Sequence, residues 1–265
     1  TLPKANPTFT VLNKAENTKS PINVAIVAEG FKSNEMDTFT KYAQKTVAAL
    51  FKHQAFAKHK DAFNIYAVYT ESKDSGVSSL TTNEYKNTVA QSSFGTFNSE
   101  RYLTTSKLFH LHDQLTGIGY DHLIIIANTA VYGGGGIYNA YTLTSTFDKT
   151  FDQVVVHEFG HSFAGLGDEY FYENDVFSDA AKHNQVEPWV KNNTTLVDFD
   201  SKWKSKLEEN TPIPTPYTND KTDRVGVYLG IENGKVYIPH QDCRMHTNTA
   251  TQFCSVCSDA IEELI

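Results

Sequence analysis

The chain has 265 residues, 40% of them hydrophobic and 20% charged, which is enough apolar material for a large buried core and too much for bulk disorder. A formal charge of −8 with no basic run argues against nucleic acid and anionic membranes as partners, and no apolar stretch is long enough to cross a bilayer. With no repeat of domain size and no clean linker, the expectation is a single domain over residues 1–265, made of an N-terminal sheet and helix lobe (1–165) and a loop-rich C-terminal lobe (166–265).

Val24 to Ala28 is a short apolar run ended by Glu29-Gly30 and reads as a buried strand. Phe39, Ala43, Thr46, Val47 and Leu50 then recur at spacings of three and four, which predicts a helix between about Asn34 and Lys52. Phe63, Ile65, Ala67 and Tyr69 alternate with more polar neighbours, so residues 62–70 form a second strand, and strand, helix, strand implies a crossover with parallel pairing. Residues 71–97 are rich in Ser, Thr and Asn without an apolar period and read as a long surface excursion. Leu103, Leu108, Leu111 and Leu115 predict a helix, and Leu123 to Ile126 a central strand. Gly133 to Gly136 reads as a flexible turn leading into a rim strand over Ile137 to Tyr141, placed to pair with an extended peptide. The glycine run lacks the phosphate-loop consensus. Beyond Tyr170 periodic signals fade, and Thr211-Pro212-Ile213-Pro214-Thr215-Pro216 is extended, as expected of a loop-rich lobe.

His157-Glu158-Phe159-Gly160-His161 carries the chemistry. On a helix, HExxH projects two imidazoles from one face, where both can bind one metal, with a carboxylate that can reach a water on it. Thr150-x-x-Gln153 is a capping box with Asp152 in the first turn, so a helix should begin where the motif needs one. Val154, Val155, Phe159 and Phe163 give that helix apolar surface on more than one side, the mark of a central, buried helix. Gly165 can end it in the left-handed conformation, and Gly167 lets the chain fold back. A catalytic zinc keeps three protein ligands, so the third is expected from the carboxylates after this turn; Asp168 is favoured over Glu169 for its short arm. His110, His112, His122, His183 and His240 lack a paired spacing with a carboxylate and read as structural. No Gly-x-Ser-x-Gly elbow supports a serine hydrolase.

Cys243, Cys254 and Cys257 cluster near the C-terminal end. One reading is a disulfide from Cys243 to Cys254 or Cys257, implying an oxidising compartment. The other is a structural zinc site, because Cys243-x-x-His246 followed by Cys254-x-x-Cys257 has Cys3His spacing; the disulfide is favoured.

With HEFGH, Gly165-x-x-Asp168-Glu169-Tyr170 and Cys243-Arg244-Met245-His246, together with Ser93-Phe94-Gly95, Glu187-Pro188-Trp189 and Phe253-Cys254-Ser255-Val256-Cys257, the chain resembles the bacterial M64 metallopeptidases, the family named for IgA peptidase. The resemblance implies an α+β fold like that of the metzincin zinc peptidases: a mixed twisted sheet, α/β-like in the N-terminal lobe, an active-site helix, and a Met-turn at Met245. It departs from the metzincin pattern in two respects. Ala164 stands where that pattern has Gly, and Gly165 and Asp168 follow one residue late. The implied activity is zinc-dependent endopeptidase cleavage of extracellular proteins by one catalytic Zn2+ on His157, His161 and Asp168. Glu158 is the expected general base, Tyr170 a candidate oxyanion donor, and the protein is expected to be secreted, cell-surface or periplasmic. A zinc exopeptidase and a silent zinc-containing binding module are the alternatives.

Overall fold

A computed structural model describes residues 6–96, 99–147, 149–170, 186–219, 224–230 and 236–265. The chain divides into two compact units. One takes it up to Lys52 and from Phe56 to Phe163, with Ile265; the other takes His53–Ala55 and Ala164–Leu264.

The first unit is built on a mixed sheet. Its strands are β1 (Phe9–Asn13), β2 (Ile22–Glu29), β3 (Phe63–Val68), β7 (His122–Ala127), β8 (Gly134–Ile137) and β9 (Tyr141–Ser145), in the order β1-β3-β2-β7-β9-β8. Strands β3, β2, β7 and β9 are mutually parallel, while β1 and β8 close the two edges antiparallel. The crossover expected from the strand, helix, strand pattern is α1 (Met36–Leu50), which buries Phe39, Ala43, Thr46, Ala49 and Leu50. A short helical turn α2 (Gln54–Ala57) precedes β3.

Because the central strands are covered on both faces, they read as apolar runs. Ala25, Val27, Leu123, Ile125, Ala127 and Leu143 point to one face, where they pack with Phe94, Leu103, Leu111 and Leu115. On the other face lies α4 (Phe151–Ala164). There Phe163 meets Phe63 at 6.2 Å and His122 at 4.6 Å between ring centroids, and Ser162 and Thr142 share a buried hydroxyl hydrogen bond. His122 is therefore a packing residue, as expected. Burial lowers its pKa, with Asp121 opposing.

Three expectations need correction here. Leu103 does not begin a helix: β6 (Leu103–Thr105) is a strand, and the helix α3 (Leu108–Gln114) starts after it. The four leucines face one core from two different elements, which a helical spacing rule cannot separate. The excursion over residues 71–97 is not wholly irregular, since β4 (Ser78–Ser79) and β5 (Ser92–Phe94) join β6 in a small sheet. Nor do Ile137 to Tyr141 form the rim strand as a unit: Ile137 ends β8 and Tyr141 begins β9, and residues 138–140 are the turn between them, with Asn139 at φ 54° and the Ala140 N–H donating to the Ile137 carbonyl. The glycines themselves are the rim strand β8.

Glu29 holds the excursion in place. Its carboxylate is wholly buried at the end of β2 and accepts hydrogen bonds from the Thr88 and Ser92 hydroxyls and from the Ala90 and Ser92 backbone N–H groups, at 2.6 to 2.8 Å. Oε1 takes three of these bonds and Oε2 one, all from one short stretch of chain, so a segment with little apolar content is tied to the sheet. A carboxylate only accepts, whereas an amide must turn an NH2 toward one of these donors. Glu29→Gln is therefore expected to cost about 2 to 3 kcal/mol, read by urea denaturation; an unchanged midpoint would contradict this role.

The second unit is loop-rich in its described residues, with one short antiparallel pair, β10 (Tyr228–Leu229) and β11 (Tyr237–Ile238), and the helix α5 (Ser255–Glu262). Buried Trp203 donates from its indole N–H to the Gly226 carbonyl at 2.7 Å. The Glu187 carboxylate gathers Thr195 and the Asp198 N–H, and Lys202 lies 3.8 Å from it while donating to the Pro188 and Val190 carbonyls. Burial works against the ionised Glu187, yet these donors outweigh it and hold its pKa down.

Candidate metal centre

The motif helix α4 spans Phe151–Ala164 and is buried along most of its length. The helix starts where the capping box predicts, but by a different contact. The Thr150 carbonyl accepts from Gln153 and Val154, while the Thr150 hydroxyl is buried without a partner. Asp152 instead answers Lys52 at 3.0 Å and Lys45 at 3.8 Å. At its other end Gly165 takes the left-handed conformation, at φ 60°.

One helical turn apart, His157 and His161 bring their Nε2 atoms to 3.1 Å, with ring planes at 88°. Two nitrogens bound at about 2.0 to 2.1 Å to a tetrahedral zinc lie about 3.3 Å apart, so the pair already has close to the bite of a bidentate metal site. His157 is only 6% exposed and His161 half-buried. Two ring nitrogens this close in an apolar setting repel unless a proton or a cation lies between them, so the donor set fits a metal ion. Glu158 is half-buried on the same helix, beside the first histidine.

The edge strand β8 determines what stands over this helix. A Cβ on Gly136 would lie 2.3 Å from the Glu158 backbone oxygen and 2.7 Å from the His161 Cβ; one on Gly134 would lie 2.9 Å from the Glu158 carboxylate. The glycine run is thus neither a flexible turn nor a phosphate cradle, but a strand without side chains that rests on the motif helix. The hairpin turn is tied down as well, since the Asn139 N–H donates to the Ser162 carbonyl at 3.0 Å. The glycine run stands out in the sequence, but its spacing carries no sign of this role.

In the second unit, the two carboxylates after the turn part company. Asp168 is half-buried, and its carbonyl accepts from the Asn193 side chain at 2.9 Å. Glu169 is 1% exposed and lies among the cysteines, with Oε1 at 3.2 Å from the Cys257 sulfur and 2.9 Å from the Asn192 amide. Glu169 is thus engaged within the cysteine cluster, and Asp168 is not part of that cluster. Asn192, fully buried, also bonds both to the N–H and to the carbonyl of Gly167 at 2.7 and 2.8 Å, so it fixes the fold-back. Nothing in the sequence singled out Asn192, because an asparagine in a polar loop carries no periodic signal.

The three cysteines are free thiols, with the Cys243 and Cys257 sulfurs 3.7 Å apart, well beyond the about 2.05 Å of a bond, so the expected disulfide is not formed. His246 is not their companion either: its Nδ1 meets the Gln241 carbonyl at 3.2 Å, and the fourth group of the cluster is Glu169. Burial pushes the Glu169 carboxyl well above its usual range, and the Cys243 sulfur adds to this. The Cys243 and Cys257 thiols are also raised, chiefly by burial. Burial also works to raise Cys254, but hydrogen bonds from Cys243 and Cys257 outweigh it and bring the thiol below its ordinary value. Met245 is fully buried in the same turn, and its carbonyl accepts from the Glu169 N–H at 2.9 Å.

Of the remaining histidines expected to be structural, two make side-chain contacts to hydroxyls. His112 bonds the Tyr120 hydroxyl, His240 the Ser255 hydroxyl at 3.1 Å, and His110 is exposed. His183 lies outside the described residues.

A buried helix that presents paired imidazoles at metal-bite distance with a carboxylate alongside has a donor set that could hold a metal ion. The sequence model of the IgA peptidase M64 family matches residues 10–227, and the chain belongs to that family of peptidases. No curated protein matches the chain. The match includes the motif helix and both carboxylates and ends before the cysteines.

The contact between β8 and α4 sets a test. Gly136→Ala drives a methyl group into helix backbone that cannot move aside, and a cost of about 1 to 3 kcal/mol or more is expected, read as a lower unfolding midpoint. An alanine variant as stable as the parent would show that the strand does not rest on the helix.

Proposed function

We propose that this peptidase is an extracytoplasmic, metzincin-like zinc endopeptidase that cleaves protein substrates, with His157, His161 and Asp168 as metal ligands and Glu158 as general base. The observation that carries the reading is the 3.1 Å approach of the two imidazole nitrogens on a buried helix beside Glu158. Asp168 is supported by its chain position, seven residues after His161 with the left-handed Gly165 between them, and by the burial of its neighbour Glu169 among the cysteines. Among the described residues no helix is long and apolar enough to cross a membrane.

Zinc at these ligands would polarise the scissile carbonyl and acidify a water molecule. Glu158 accepts the proton of the attacking water and delivers it to the leaving amine, which requires hydrogen-bond reach to both positions. Tyr170, half-buried just past the ligand turn, is a donor for the developing oxyanion. The outermost strand β8 offers main-chain groups to an extended substrate near Ile137, which is 44% exposed.

The decisive experiment is cleavage-site profiling on a peptide library with and without a chelator. Internal cuts abolished by chelation and restored by zinc are expected; terminal trimming alone would make the enzyme an exopeptidase, and no cuts would remove the peptidase mechanism. Glu158→Ala should keep the metal while lowering turnover by about 100-fold to 10,000-fold. Asp168→Ala should lose the zinc held by the histidines on dialysis, measured by elemental analysis, and retention of that ion would remove Asp168 from the ligand set.

A further inference from the structure

Glu169 presents the strongest unmet chemical demand in the second unit. One carboxylate oxygen, Oε1, accepts from Asn192, but the other, Oε2, is buried with no hydrogen-bond partner. An unpaired buried carboxylate oxygen is costly unless a cation or a donor answers it. Around it stand three thiols, all buried, and one donor atom from each of Glu169, Cys243, Cys254 and Cys257 lies within 4.8 Å of the others.

The spacing and surroundings fit a tetrahedral metal. Two sulfurs bound to zinc at about 2.3 Å lie about 3.8 Å apart at the tetrahedral angle, and Cys243 and Cys257 are 3.7 Å apart. Backbone N–H groups of Met245 and Cys254 point at the Cys243 sulfur at 3.4 and 3.3 Å, and that of Cys257 points at the Cys254 sulfur at 3.5 Å. Such donors favour thiolate over thiol. Cys254 is also the N-cap of α5, where the helix dipole favours negative charge.

We propose that Cys243, Cys254, Cys257 and Glu169 hold a second zinc ion, structural and separate from the one at the histidines. Four protein ligands close the coordination shell, so this ion takes no water and no substrate. Soft thiolates select zinc over magnesium or calcium. A disulfide between Cys243 and Cys257 is the competing outcome; it would consume two sulfurs and leave the Glu169 oxygen and the third thiol buried and unanswered. The ion answers all four groups together and ties α5 and the turn at residues 243–247 to the residue next to Asp168.

The test is a metal count on the His157→Ala/His161→Ala double variant, which lacks the other proposed site. That protein is expected to retain about one zinc per chain, and its cobalt-substituted form should show intense thiolate-to-cobalt charge-transfer absorption. If the double variant does not fold, X-ray absorption on the zinc form of the unaltered protein takes its place, with sulfur neighbours expected. In the double-variant background, Glu169→Gln should weaken retention by more than the about 10 to 100-fold that loss of an outer-shell partner costs. A metal-free folded double variant, only nitrogen and oxygen neighbours around zinc in the unaltered protein, or a Cys243 to Cys257 disulfide found by peptide mass mapping would each overturn the proposal. Loss of peptidase activity alone bears only on the histidine site, so the two readings fail separately.

Discussion

Backbone contact between β8 and α4 is the constraint on which the first unit's chemistry rests. The motif helix is buried on nearly every side, and a helix covered by ordinary side chains would have its histidines and glutamate enclosed. A strand of glycines solves the steric problem, because it can close the sheet and lie on the helix with no Cβ in the way of Glu158 or His161. The cost is the entropy of ordering glycines, and the hairpin offsets part of it through β9 pairing and the bond from Asn139 to Ser162. Packing on the far side completes the clamp: Phe159 and Phe163 stack into Phe56, Phe63 and His122, so the helix cannot roll without breaking an aromatic cluster.

Two buried glutamates show how differently the two units meet the same electrostatic problem. Glu29 is satisfied entirely by the protein, with four donors from residues 88–92. Glu169 has one strong neutral donor, sulfur neighbours and an oxygen with no partner. A fold that spends four donors on one carboxylate and leaves another nearly bare has not merely failed to find hydrogen bonds for the second. Sulfur ligands around the bare oxygen give the chemical reason, since a cation shared among them replaces the missing donors.

Much of the first unit was legible because its strands are buried on both faces and its helices are amphipathic. Val24 to Ala28 and Leu123 to Ile126 are continuous apolar runs, and α1 repeats with helical spacing. The strand β1 escaped notice because Phe9, Thr10 and Val11 are exposed at the sheet edge, where sequence is not held to an apolar pattern. Leu103 misled because two elements that feed one core can imitate a single helical stripe. The motif histidines were legible because their spacing is itself the geometry. By contrast, the partner of the cysteines was not, since Glu169 lies 74 residues before Cys243 in the sequence and His246 offered a closer, familiar spacing. Only the fold-back at Gly165 and Gly167, held by Asn192, turns the side chain toward sulfur.

The different fates of Asp168 and Glu169 follow from that fold-back. Adjacent side chains need not share a direction in an irregular segment, so one residue of the pair can enter the cysteine cluster without its neighbour. The burial confirms the split: Glu169 is 1% exposed and Asp168 half-buried. The Glu169 N–H also bonds the Met245 carbonyl and the Asp168 carbonyl accepts from Asn193, so the peptide joining the two acids is held from both sides, while Asn192 bonds the Glu169 side chain. A short aspartate arm has few rotamers with which to recover from a backbone displacement, and a metal ligand tolerates only about 0.5 Å of error. In the proposed site, the longer turn after the second histidine would make Asp168 depend on a rigid anchor just beyond it, and the buried cysteine and glutamate cluster stands at that point in the chain.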